Sequence, residues 1–356
     1  MTKEKNLKDK RILLCPVDIG GNIQLVVEEL RRRGYDATSA GCLYGYPNRL
    51  GRINDIQINS YRTRGRIKGH CSRIAFAIWA AMNYDIFHFF FGRSLYQSRY
   101  FPHLDLIFLR KLGKTIVVHF RGSDLIGRAY FDYLRDKATG KEAIEPSISD
   151  PNQKRSLEIW RRYSDRMLVS WPLLLKVVPD AVMVKQAIDL DYWRRGHARP
   201  ESCKDGIIRI VHAPTNKAKK GTEFVGNAVY GLKKMGYPVE LILVENMNHR
   251  KVKEVYERCD IGVDQLILGW YGNYSVELMA LGKPVICYIN PEWKNSCKDL
   301  PIVSAGPKEL TEKLRMLIEN PRLQWELGEK SIAYVKRHHD VKVIVDHCVT
   351  IYEQCL

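Results

Sequence analysis

The 356 residues hold no apolar run near the ~20 residues that a membrane-spanning helix needs. The longest, Ile74 to Met82, stops at Asn83 and Asp85. The first five residues, Met1 to Lys5, are charged and lack the apolar centre of a secretory signal, so the expected setting is cytoplasmic. Nine cysteines are scattered with no Cys-x-x-Cys pair and no matched histidine cluster. That excludes a disulfide framework or a zinc site as the organising feature. There is no internal repeat or low-complexity tract. The first strand–turn–helix lacks the dinucleotide fingerprint G-x-G-x-x-G.

What is present is concentrated in four blocks. The richest runs from Asp260 to Ile289: a short strand, an aromatic and glycine-rich loop, a helix from near Asn273, a stop at Gly282 and a strand from Pro284. Gly272 and Asn273 stand where loop becomes helix, with Tyr274 and Ser275 just inside. Unpaired N–H groups and the positive dipole end at such a start suit a phosphate or diphosphate. One turn on, Glu277 can accept hydrogen bonds from sugar hydroxyls.

In the second block, Val211 to Glu223, Lys220-Gly221 opens a helix after an apolar strand, with Lys217 three positions earlier. The plain alternative is a solvated lysine run. The third, Lys114 to Asp124, delivers His119 at the carboxyl end of a β-branched strand, where ligands gather in open α/β sheets. Arg121 and Asp124 can orient His119, bind acceptor hydroxyls or pair with each other. The fourth, Arg11 to Asn22, is a strand ending in Gly20-Gly21 before an amphipathic helix.

Together these blocks resemble the retaining family 4 (group 1) glycosyltransferases of the GT-B fold, over most of the chain and most strongly in its C-terminal half. That family carries two glutamates with seven residues between them, then Ala-Met-Ala-x-Gly-x-Pro-Val. Here Glu277 is followed by Leu278-Met279-Ala280-Leu281-Gly282-Lys283-Pro284-Val285, and the first glutamate position is Gly269. The resemblance implies that Lys217, Lys220 and the Gly272–Ser275 helix start meet a nucleotide diphosphate, and that Glu277 holds its ribose. It places His119 by the transferred sugar and Gly20 and Gly21 where backbone approaches the substrates. The implied activity moves a sugar from a nucleotide-diphosphate sugar to a glycan or lipid-linked acceptor, in bacterial cell-surface polysaccharide assembly. Retention of configuration is implied too. No cofactor is expected, and no metal, since no Asp-x-Asp lies at a strand end near the site. Two other readings stay open: a nucleotide-sugar epimerase of the same fold, and a non-catalytic GT-B-like binding protein, suggested by Gly269.

Strands alternate with helices throughout, which predicts an α/β protein with parallel sheets. The expected architecture is two doubly wound Rossmann-like domains facing a cleft. These are residues 1–190 for the acceptor and 205–339 for the nucleotide sugar, with a helix at 340–356 crossing back to the first. Tyr130 to Ser156 reads as a charged, irregular insertion. The net charge of +17 is uneven. Residues 1–190 hold 32 Lys and Arg against 19 Asp and Glu, a surplus of 13, which leaves 4 for the remainder. Such asymmetry points to an anionic partner. No nucleic-acid motif is present. An anionic membrane surface is the expected partner, met through Arg62, Arg64, Arg66 and Lys68 with Arg73 and Trp79.

Overall fold

The computed structural model describes residues 6–18, 21–42, 54–58, 66–96, 102–194, 205–245, 247 and 249–356. They form two compact units. The first contains strands β1 (Arg11–Cys15), β2 (Asp36–Cys42), β3 (Ile56–Ile58), β4 (Ile86–Phe90), β5 (Thr115–Phe120), β6 (Arg166–Val169) and β7 (Val182–Met183). All pair in parallel, in the order β3-β2-β1-β4-β5-β6-β7. Helices α1 (Asn22–Arg32), α2 (Arg66–Asn83), α3 (Leu104–Lys111) and α5 (Pro151–Tyr163) belong to this unit, whereas α4 (Arg128–Thr139) belongs to the second. Strands β4 and β5 are buried at every position, the pattern of a parallel sheet covered on both faces.

The second unit contains β8 (Ile208–His212), β9 (Val239–Leu243), β10 (Ile261–Val263) and β11 (Val285–Ile286), parallel in the order β11-β10-β8-β9. An isolated parallel bridge joins Ile286 to Val303 beyond β11. Its helices are α6 (Leu190–Trp193), α7 (Lys217–Lys220), α8 (Thr222–Lys234), α9 (His249–Arg258), α10 (Asn273–Ala280), α11 (Leu310–Ile318) and α12 (Pro321–His338). A last helix, α13 (Val341–Gln354), belongs to the first unit. There Val341, Ile344, Val345, Cys348, Ile351 and Tyr352 share a core with Ile12, Leu14, Ile23 and Leu30. In each sheet the strand order reverses beside the first strand, between β1 and β4 and between β8 and β10. Crevices outside the carboxyl ends of strands at such points are where open α/β sheets bind ligands.

One expectation needs correction. The stretch from Tyr130 to Ser156 is not irregular, because α4 and α5 occupy most of it. The start of α5 is a capping box: Asp150 accepts from Gln153 N, and Gln153 Oε1 accepts from Asp150 N, both at 2.9 Å. Residues Arg128–Pro146 and Ile188–Asp340 make up the second unit. Strands β2 and β3 lie outside the four sequence blocks. β2 reads Asp-Ala-Thr-Ser-Ala-Gly-Cys, short of β-branched residues, and it is packing beside β1 that makes it a strand.

Candidate functional site

The site in the second unit is assembled around Asp264, the residue that follows β10. It is 1% exposed, and Lys220 Nζ donates to its Oδ1. Its Oδ2 accepts from Ser275 Oγ at 2.6 Å and from Gly272 N at 3.1 Å. Burial alone would raise the Asp264 pKa, but the adjacent ammonium and these donors hold it below the ordinary carboxylate value. A single carboxylate thus ties the loop after β8 to the start of α10, across the switch point.

Local sequence explains how each group arrives. Asn216 caps the short α7, accepting from Lys219 N at 2.9 Å. Gly221 then takes φ +75°, ending α7 and starting α8, while Leu266 N donates to Lys220 O at 3.2 Å. A side chain at Gly221 would add left-handed strain and press on Leu266 Cβ at 3.3 Å, so Lys-Gly is the pair that fits. The loop before α10 is pinned by Gln265. Its Nε2 donates to Trp270 O at 2.5 Å and Tyr288 O at 3.0 Å, and its Oε1 accepts from Ile267 N at 3.0 Å. Tyr271 Oη anchors the other end, against Tyr334 Oη at 3.0 Å and His339 Nε2 at 3.1 Å.

The candidates therefore divide. Lys220, Gly272 and Ser275 meet at Asp264, and a Cβ on Gly272 would lie 3.8 Å from Lys220 Nζ. The next N–H groups, of Asn273 and Tyr274, belong to a first turn that has no intrahelical acceptor. An anion at this start would face them with Lys220 beside it. The Lys220–Asp264 pair is neutral overall, so its pull on an anion is local rather than long-ranged. The Tyr274 side chain is structural: it is buried and donates to Val211 O at 2.6 Å. Glu277 is half-buried, one turn further along α10. Lys217 turns to Glu245 at 3.1 Å, a largely exposed pair. Gly269, at the first glutamate position, has φ +82°, and a Cβ there would meet Asn290 Cβ at 3.0 Å. That backbone disfavours any residue but glycine.

In the first unit, Gly21 stands at the N-cap of α1, and Gly20 lies outside the described residues. His119 is 3% exposed on β5, with Nε2 2.7 Å from Ser170 Oγ. Ser170 donates its one proton to Val184 O at 3.0 Å and accepts from Arg121 Nη1 at 3.1 Å. The network therefore assigns the remaining proton to His119 Nε2. Burial, then the charge of Arg121 and the neighbouring His88, push the His119 pKa well below its usual value, so the ring is neutral. Asp124 does not clasp a guanidinium; it accepts from Arg121 N and Gly122 N and shapes the turn after β5. Asp18 caps α1 through Ile23 N at 3.1 Å. Sequence reasoning passed over Asp18, Ser170, Asp264 and Gln265. Asp264 and Ser170 carry the signal used for His119, a polar residue just past an apolar strand. Among the described residues, no group of three or more His, Cys, Asp or Glu could hold a metal, and no helix is long and apolar enough to cross a membrane.

No family model and no curated protein matches the sequence. Solved structures do match. Sucrose-phosphate synthase from Thermosynechococcus elongatus aligns with 97% of this chain and 99% of its own, at 12% identity and TM-score 0.67. HepE of Anabaena, solved with UDP-glucose, covers 97% and 100% at 10% identity and TM-score 0.64. The catalytic domain of starch synthase IV from Arabidopsis thaliana, bound to ADP and acarbose, covers 97% and 99% at 11% identity and TM-score 0.61. With two parallel-sheet Rossmann-like units matched over almost its whole length, this chain has the GT-B fold.

Proposed function

We propose that the chain is a glycosyltransferase that takes its sugar from a nucleotide-diphosphate donor. The observation that carries the reading is the meeting of Lys220 and the first turn of α10 on buried Asp264, at the switch point of the second sheet. An ammonium has three protons, so Lys220 can serve Asp264 and a phosphate oxygen together. The N–H groups of Asn273 and Tyr274 would stabilise the leaving diphosphate, and Glu277 would take the ribose hydroxyls. Neutral His119 would act as a hydrogen-bonding partner of the transferred sugar rather than as a cation. Similar folds were solved with UDP, UDP-glucose and ADP, so uridine and adenosine diphosphates are the first ligands to try.

In this reading transfer needs no divalent ion, retains configuration, and serves a glycan or lipid-linked acceptor of cell-surface polysaccharide assembly. A cytoplasmic protein would reach that acceptor on an anionic membrane face. Sedimentation with anionic but not neutral liposomes at low salt tests the membrane part. Gly269 favours one rival, a non-catalytic binding protein; an epimerase is the other.

Calorimetry with nucleoside diphosphates tests the site. Lys220→Ala and Glu277→Ala should each weaken binding roughly tenfold or more, the loss of one charge-assisted contact of about 1.5–3 kcal/mol. Unchanged affinity in both folded variants would place the nucleotide elsewhere. A nucleotide-sugar panel then separates the classes: slow hydrolysis or acceptor-dependent release for a transferase, a new sugar for an epimerase, neither for a binding protein.

A further inference from the structure

Helix α2 presents an unusual face to solvent. Between Cys71 and Met82 its exposed positions are Cys71, Ser72, Ile74, Ala75, Ile78, Trp79 and Met82, with no charge among them. Met82 is 74% exposed and Ile78 62%. An ordinary surface helix turns charged and polar residues outward. Across from it, Phe108 and Leu112, at and just past the end of α3, are 58% and 53% exposed. Between them runs a groove of about 470 Å³, whose lining includes Ile74, Ile78, Met82, Leu104, Phe108 and Leu112. Only Tyr96 and Asp105 add polar atoms. The Asp105 carboxylate is turned inward, taking Ser94 Oγ at 2.7 Å and Leu95 N at 2.8 Å. The groove is therefore apolar in effect, and its size is that of a small-molecule site.

Charge selects the occupant. Exposed Lys111 lies between Phe108 and Leu112 in the chain, and exposed Arg93 stands two residues before Leu95, which also lines the groove. Helix α2 contains no acidic residue and its Arg73 is buried, so the positive charge beside the groove comes from Lys111 and Arg93. A second copy would bring its own Lys111 and Arg93 against this face, which opposes pairing. A chain of methylenes ending in an anion satisfies both the groove and its rim.

We propose that this groove between α2 and α3 binds the hydrocarbon chain of an anionic amphiphile, with its headgroup at the basic rim. The proposal stands on the first unit alone. It leans on the transferase reading only for a biological role, as the site that would hold the lipid part of a lipid-linked acceptor.

The test uses the full-length protein and alkyl phosphates of increasing chain length below their micelle threshold, with binding followed by calorimetry. Affinity should rise about fourfold for each added methylene until the groove is filled. Ile78→Asp and Met82→Asp, at positions exposed enough to keep the fold, should each lower it at least tenfold. Lys111→Glu should narrow the preference for an alkyl phosphate over an uncharged alkyl maltoside of equal length. Inorganic phosphate should not compete at equal concentration. Affinity independent of chain length, or undiminished in both aspartate variants, overturns the proposal. So does sedimentation analysis showing a dimer that Ile78→Asp dissolves, since a second copy would then own the face. Nucleoside diphosphate binding in the same variants should match the parent protein, so failure here is distinguishable from failure of the donor site.

Discussion

Replacing Lys220 by methionine should cost far more than losing a surface lysine. Asp264 has a side chain with 0% exposure and Lys220 one with 15%, so the pair lies where water screens little. Removing one partner of a buried pair strands the other and typically costs about 3–5 kcal/mol. Asp264 would keep Ser275 Oγ and Gly272 N as donors, which places the expectation near the lower end, about 3 kcal/mol. Adding Asp264→Asn removes the stranded charge while leaving an oxygen for both donors. The double variant should recover one to two of those kcal/mol, roughly a hydrogen bond or two. Calorimetric melting of the four members of this cycle gives the coupling directly. The pH dependence has a definite sign. Because the folded-state Asp264 pKa is depressed, its contribution is present above the unfolded value of about 3.9 and is lost as pH falls through the folded value. Asp264→Asn should flatten that acid limb. A cost under about 1 kcal/mol for Lys220→Met, or a double variant no better than the single, would refute the buried-pair argument.

Three further outcomes follow from the same structure. Burial lowers the His88 pKa to about 3 and the His119 pKa well below its usual value, so each stabilises fully above the unfolded value of about 6.5 and loses that contribution as pH falls. Acid titration of stability should show a slope of roughly 1.4 kcal/mol per pH unit per histidine, reduced in His88→Gln; an unchanged slope contradicts neutral burial. Gly269→Glu, although it restores the two-glutamate pattern, should lower the melting temperature, since left-handed backbone alone costs about 1–2 kcal/mol for a residue with a Cβ. Transfer or hydrolysis should persist in EDTA, and activity abolished by chelation and restored by magnesium or manganese would move the protein to a metal-dependent class.

Periodicity carried most of the fold. Strands such as Ile86–Phe90 and Thr115–Phe120 are mostly apolar and buried at every position, as in a parallel sheet covered on both faces. β2 escaped because its identity comes from its neighbours rather than from its own residues. The capping box before α5 was written out as Asp150-Pro151-Asn152-Gln153 and could have been read as a helix start. In the site, Lys220-Gly221 and Gly272-Asn273 were legible because loop-to-helix transitions follow local rules. What joins them was not: Asp264 lies 44 residues from Lys220, and no local rule pairs two residues that only the order of strands brings together. The same gap hid the burial of Tyr274, whose hydroxyl reaches a strand 63 positions away.

The placement of α13 sets an order of events during synthesis. The first unit contains the earliest residues of the chain, yet its core is closed by Val341, Ile344, Val345, Ile351 and Tyr352, which follow the entire second unit. A growing chain can finish the later-encoded unit while the earlier one still exposes the apolar face of α1 and β1. The half that emerges first is the half that matures last, and in the interval it is the natural client for a chaperone. Chains stopped after Asp340 should therefore keep a protease-resistant second unit and lose the first, the reverse of what vectorial synthesis gives a protein whose units are contiguous.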